Sequence, residues 1–219
     1  MALTITEKLP ERYEERMLSA SIDCDGGKGS GDACHAVGEY FSVIRSDHVR
    51  ARQVYAQNCD DRGHAASCFN LGRLLLGGKG GSEDDAAAAT RFLSGCNLGH
   101  AAACHHYGIM ALQRGESEKG MKFLARACEQ KEPSSCYLVG SRLLRPKSDD
   151  DRPRDVLRAK KYLEIACDEG NGPACHNLAV MFKRGDEGVP KDDRLFEKYA
   201  ARTRELVEAA GATQGIRIA

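Results

Sequence analysis

Apolar side chains recur along this chain at intervals of three and four, the spacing that gathers them on one face of a helix. Ala51, Val54, Tyr55 and Cys59 form one such stripe, and Ala159, Tyr162, Leu163 and Ala166 form another. Helix breakers separate the stripes: Gly77 through Gly81, Arg145-Pro146 through Pro153, and Gly185 through Pro190. The pattern predicts helices over residues 8–23, 33–45, 47–59, 66–77, 83–96, 101–113, 117–128, 134–144, 155–168, 172–184 and 191–209. The first ten pair into five hairpins. The last, around Leu195, Phe196, Tyr199 and Leu206, carries charge on its other face, as a cap on the end of a repeat array should.

The hairpins are copies of one unit. Aligned on Cys34, Cys68, Cys104, Cys136 and Cys175, successive units start 34, 36, 32 and 39 residues apart. Four residues after each of these cysteines stands a small residue: Gly38, Gly72, Gly108, Gly140 or Ala179. Glycine inside a helix costs up to ~1 kcal/mol relative to alanine. A recurring glycine therefore implies an offsetting gain, and close approach of a neighbouring helix supplies it. A bulky residue at Gly108 should be severely destabilising on this reading. Gly80, read as part of an exposed loop, should tolerate one.

The ten cysteines fall on this frame as five pairs with none left over: Cys24 with Cys34, Cys59 with Cys68, Cys96 with Cys104, Cys128 with Cys136, and Cys167 with Cys175. Nine residues separate the first pair, eight the second and seven each of the others. Three other readings stand beside disulfides. Reduced cysteine is a good small core residue, but chance does not sort ten of them into pairs at nearly fixed spacing. Zinc knuckles use two to four intervening residues, and covalent haem attachment needs C-x-x-C-H. The first member of each pair ends one helix and the second opens its antiparallel partner. Such positions can reach the Cα separation of ~4.4–6.8 Å that a disulfide requires. The expected fold is an all-α solenoid of αα-hairpins, each stapled by its own disulfide. It would occupy residues 1–209 as one domain, with 210–219 as a flexible tail.

These residues resemble Sel-1-like repeats, the αα-hairpin relatives of tetratricopeptide repeats. The resemblance spans about residues 34–200 and rests on the cysteine pair, the glycine between its members, the Leu-Gly that follows, as in Leu71-Gly72, and a Gly-x-Gly loop such as Gly78-Lys79-Gly80. Two branches of the family carry a disulfide in every repeat. One is bacterial, secreted and cysteine-rich, with members described as penicillin-binding or β-lactamase-like. The other is the mitochondrial cytochrome c oxidase assembly factor 7 branch, which shares five hairpins, a leading C-x9-C and Ala103-Cys104-His105. The chain departs from it in its N-terminus, in its tail, and in a third turn reading Lys131-Glu132-Pro133, where glycine is usual. The resemblance implies a scaffold that binds respiratory-complex assembly proteins, with haem contact conceivable at the neighbouring His105 and His106.

Composition narrows the function classes. Thirty-two basic and 32 acidic residues give a formal charge of zero, with no basic footprint for nucleic acid. No apolar run reaches 18 residues, so no membrane span is expected. The opening Met1 through Pro10 has no apolar core of signal-peptide length, and Glu7, Glu11, Glu14 and Glu15 argue against a matrix transit peptide. Disulfides without a secretory signal point to the mitochondrial intermembrane space and to its oxidative import machinery as a partner. No G-x-S-x-G, S-x-x-K, H-E-x-x-H or phosphate-loop pattern occurs, so an enzyme is not expected. Histidines at the repeat turns, such as His64 and His100, are read as structural groups bonding helix-end carbonyls.

Overall fold

A computed structural model describes residues 11–145 and 154–213. The helices are α1 (Glu11–Asp25), α2 (Gly31–Glu39), α3 (His48–Arg62), α4 (Ala65–Leu76), α5 (Asp85–Asn97), α6 (Ala101–Gln113), α7 (Ser117–Glu129), α8 (Pro133–Leu143), α9 (Val156–Asp168), α10 (Gly172–Arg184) and α11 (Asp193–Thr213). All eleven expected helices are present, and the fold is the expected all-α solenoid of hairpins. α11 runs past residue 209 into the expected tail, and residues 214–219 lie outside the described residues. So do residues 1–10, where the first helix was expected to begin, and 146–153. The chain forms two compact units, one up to Ala103 and one from Cys104 onward.

One helix departs from expectation. α2 ends at Glu39, and Tyr40–Ile44 continue as a π-helical turn. There the Arg45 amide donates to the Tyr40 carbonyl at 3.0 Å, and the Asp47 amide to the Phe41 carbonyl at 2.8 Å. The wider turn keeps Tyr40 buried and leaves Val43 71% exposed.

In the last three hairpin turns one residue is used twice. The backbone N–H of His100, Glu132 and Asn171 closes the helix behind it, donating to the carbonyls of Gly95 (2.9 Å), Ala127 (3.1 Å) and Ala166 (2.8 Å). The side chain of the same residue then accepts from an N–H in the first turn of the next helix. Orphan groups at both helix ends are satisfied by one position. The reversal needs a left-handed residue just before it, supplied by Gly63, Gly99 and Gly170. Where glycine is missing, Lys131 takes the same conformation at φ 61°, at a cost of ~1–2 kcal/mol to a residue with a Cβ.

The staples sit at these turns. Cα–Cα distances are 5.6 Å for Cys24–Cys34, 4.8 Å for Cys59–Cys68, 4.7 Å for Cys128–Cys136 and 4.8 Å for Cys167–Cys175. Cys96 and Cys104 are also disulfide-bonded, and no described cysteine is free.

The glycine register marks helix contacts, as expected. A Cβ at Gly72 would stand 2.7 Å from the Phe92 ring, one at Gly108 2.9 Å from Leu124, and one at Gly140 2.9 Å from Leu163. At Gly38 it would collide with the Tyr55 ring. Tyr55, Phe92, Leu124 and Leu163 are almost wholly buried. In the last repeat Ala179 shares a core cluster with Tyr199 of α11.

Gly80 corrects an expectation. It is half-buried at φ 79°, and a Cβ there would run into the backbone carbonyl of His48. Arg52 holds this loop in place, its guanidinium donating to the carbonyls of Lys79 (2.6 Å), Leu74 (2.9 Å) and Ser82 (3.0 Å).

Candidate functional site

The polar chemistry of the chain gathers where successive hairpins meet. In the first unit Ser67, wholly buried, sits at the centre of one cluster. Its hydroxyl lies 3.0 Å from His35 Nδ1 and 3.1 Å from His64 Nδ1, and accepts from the Asn58 amide at 2.8 Å. Asn58 donates its other N–H to the Gly31 carbonyl at 2.8 Å. His64 Nδ1 accepts from the Ser67 backbone N–H, which fixes the tautomer: its proton sits on Nε2, 3.1 Å from Asp32 Oδ1. The His35 and His64 rings pack with centroids 4.8 Å apart. Burial holds His35 below the ordinary imidazole value, outweighing Glu39.

His100 repeats the arrangement one turn later. Its Nδ1 accepts from the Ala103 N–H at 3.2 Å, and its ring stacks on Phe69 at 4.6 Å. Burial depresses it, helped by the nearby His35 and His64. Both turn histidines have the expected structural role with the opposite partner. They accept from N–H groups at helix starts and do not donate to carbonyls at helix ends.

The second unit places a carboxylate at the equivalent position. Glu132 caps α8 by accepting from the Ser134 and Ser135 amides. Burial pushes its carboxyl up, but hydrogen bonds from His105 and Ser135 outweigh that and hold it at about 2. His105 Nδ1 lies 3.2 Å from Glu132 and 2.7 Å from the Ser135 hydroxyl. Asn171 caps α10 in the same way, accepting from Ala174 at 2.9 Å.

These contacts bear on His105 and His106, the pair expected near haem. The two rings are perpendicular with centroids 5.5 Å apart. Neighbouring helical positions point ~100° apart, so the two rings face different directions. One nitrogen of His105 is committed to Glu132 and Ser135. Among the described residues no group of three or more His, Cys, Asp or Glu could hold a metal ion.

The second helices of the hairpins also line clefts. One of about 580 Å³ lies between α8 and α10, with Tyr137, Ser141, Arg145, His176 and Arg184 on its walls and Leu144 and Met181 beneath. In the first unit Glu39, Tyr55, Asn70 and Arg73 line another of about 410 Å³. Burial pushes the Tyr55 phenol up to about 12. Sequence reasoning missed the α8–α10 cleft. Its signal was present: counting from the second cysteine, positions one, five and nine along make a stripe on one helix face. That stripe reads Tyr137 and Ser141 in α8 with Arg145 two residues past its end, and His176, Val180 and Arg184 in α10.

Comparison with known proteins gives this architecture its relatives. The Sel1 repeat model matches residues 65–94, 95–132, 133–171 and 172–195. Cytochrome c oxidase assembly factor 7A of Xenopus laevis is 33% identical over 185 residues, covering 80% of this chain and 79% of that protein. Cytochrome c oxidase assembly factor 7 of Xenopus tropicalis is 30% identical with the same coverage. Among solved structures, a protective antigen of uropathogenic Escherichia coli superposes with a TM-score of 0.72 at 21% identity, over 87% of this chain and 42% of that one. Four matched repeats, the turn and glycine registers they share, and these relatives together place the chain in the Sel1 repeat family.

Proposed function

We propose that this chain is an assembly factor for cytochrome c oxidase, working by binding proteins and not by catalysis, in the mitochondrial intermembrane space. The observation that carries the proposal is the alignment with proteins named cytochrome c oxidase assembly factor 7 across four fifths of the chain. The disulfides support it, because an oxidising compartment is needed to form them. The oxidative import machinery would then be the first partner and respiratory-complex assembly proteins the later ones. Buried turn clusters such as Ser67 with its histidines serve helix capping. Their serine is sealed from solvent, which suits a fold element and not a nucleophile.

Deleting the gene in the native organism should lower assembled cytochrome c oxidase on native gels, with wild-type chain restoring it. The protein should resist protease in intact mitochondria and be digested once the outer membrane is ruptured. Unchanged oxidase levels would overturn the proposal. Nitrocefin turnover by the purified chain would favour instead the penicillin-binding or β-lactamase-like branch. Haem contact is tested separately, by titrating haemin and looking for a Soret shift that His105→Ala abolishes.

A further inference from the structure

We propose that the cleft between α8 and α10 binds an acidic peptide segment, one carrying a carboxylate next to an apolar side chain. Three observations converge on it. First, the Ser141 hydroxyl is buried in the cleft wall without a hydrogen-bond partner among the described residues. Leaving a hydroxyl so costs stability unless something meets it, and native structures seldom do so without reason. A peptide backbone group entering the cleft supplies the missing bond.

Second, the cleft carries unspent positive charge. Arg145 and Arg184 stand at its rim, both exposed and both without an ion-pair partner among the described residues. The cleft's one acid, Asp186, is already engaged: Arg154 reaches its Oδ2 at 2.6 Å, and its Oδ1 accepts from the Glu187 N–H. Among the described residues neither arginine is paired, and the guanidinium fork is well matched to a carboxylate. Third, the floor is apolar, formed by Leu144, Val180 and Met181. Tyr137 at one end adds the amphipathic surface that peptide sites favour. A volume of about 580 Å³ accommodates two or three side chains and not a large folded surface.

The stripe is specific to this end of the chain. At the position of Arg145 and Arg184, the first three repeats carry Val43, Gly77 and Gln113. A general requirement of the hairpin would place arginine in all five.

This inference deepens the partner-binding reading and rests on it for its biological setting. Its test is separable, because it uses the purified oxidised full-length chain alone. Fluorescence anisotropy would follow a labelled peptide of sequence Leu-Glu-Asp-Leu-Asp-Phe, against the same peptide with lysine replacing each acid. The acidic peptide should bind saturably and weaken as salt rises, and the lysine peptide should not bind. The Arg145→Glu, Arg184→Glu double variant should lose at least about tenfold in affinity, the equivalent of ~1.4 kcal/mol. Both positions are exposed, so its melting temperature and helicity should match wild type. Ser141→Val should weaken binding severalfold while keeping the salt dependence. No saturable binding up to millimolar peptide, equal binding of the lysine peptide, or binding unaffected by the arginine reversal would each overturn the proposal. A loss of oxidase on gene deletion would stand whichever way this experiment fell.

Discussion

The two compact units are built from the same hairpin but close its turns with different chemistry. Up to Ala103 the caps include His64 and His100, imidazoles that accept through Nδ1. From Cys104 onward they are Glu132 and Asn171. An imidazole acceptor exists only while that nitrogen is unprotonated. Asparagine does not titrate, and Glu132 stays ionised down to about 2. Equal helices and equal staples thus leave one unit with a cap chemistry that acid can switch off and the other without.

The largest expected effects fall on what the units share. Cys59→Ser and Cys167→Ser should each cost ~2–5 kcal/mol, by analogy with native disulfides of small domains. The two should be similar, since both pairs close at a Cα distance of 4.8 Å. Chemical denaturation of each variant measures this. In mitochondria Cys167→Ser should lower steady-state abundance, and removing the local protease should partly restore it. A variant that accumulates normally yet loses function would show that the cysteines act in chemistry and not in the fold.

Next come the packing glycines. Gly72→Leu and Gly140→Leu press on Phe92 and Leu163, and overpacking of this kind costs ~1–3 kcal/mol. Thermal midpoints should fall by comparable amounts in the two. Gly80→Leu should fall too, since its Cβ would meet backbone that cannot move aside. A tolerant Gly80 would contradict the loop docking by Arg52.

A third test separates the serines. Ser67→Ala strands one N–H of the buried Asn58 amide and leaves His35 without its hydroxyl. Ser135→Ala removes a partner of His105 and of Glu132, which still bond each other, and Glu132 keeps its backbone amides. Stranding a buried polar group costs ~1–3 kcal/mol. Ser67→Ala should therefore be the more destabilising of the two at neutral pH.

Acid gives the smallest effect and the sharpest contrast. His35 and His100 have folded values below the ordinary 6.5. The fold then prefers their neutral forms, so this stabilisation is fully present above 6.5 and is lost as pH falls through the depressed values. A protonated Nδ1 on His100 becomes a donor facing the Ala103 N–H, and the new cation lies at a helix N-terminus, where the macrodipole opposes it. For Glu132 the sign is the same but the window differs: its contribution is lost only as pH falls from 4.5 toward 2. Amides of α4, which His35 meets at Ser67, and of the first turn of α6, which His100 caps, should lose exchange protection as pH falls below 6.5, after correction for intrinsic rates, while those of α8 and α9 hold theirs. His100→Asn should change neutral-pH stability by under ~0.5 kcal/mol, since both side chains can cap, and should blunt the acid loss. Equal acid sensitivity in the two units would break the comparison.

Much of the fold was legible in the chain. The period-3.6 stripes marked all eleven helices, and the recurring glycine four residues past each second cysteine marked the packing contacts at Gly72, Gly108 and Gly140. Local signals of this kind depend on residues close in sequence. The turn at Lys131 was legible as an irregularity but not in its outcome. Only the geometry showed that lysine adopts the left-handed backbone the hairpin demands. His64 and His100 were recognised as structural, with the wrong helix end assigned to them. A histidine between two helices can serve either, and the choice depends on which ring nitrogen meets which backbone group. The placing of Arg145 just past α8 and Arg184 at the end of α10 was visible as spacing, yet nothing local indicated that both line one cleft.

The sequence by itself determined the hairpins, the staples and the contact register, because each joins residues within one short segment or repeats at a fixed interval. Cysteines 8 to 10 positions apart across a turn have few other partners to reach. The tertiary structure decided the rest. Arg52 reaches across 27 residues to pin the loop of Gly80, and His35 meets Ser67 across 32. Among the described residues Ser141 is left without a partner, beside two arginines that have no ion pair there. Such contacts follow from how one hairpin stacks on the next, which balances burial, hydrogen bonding and charge over distances that no local pattern encodes.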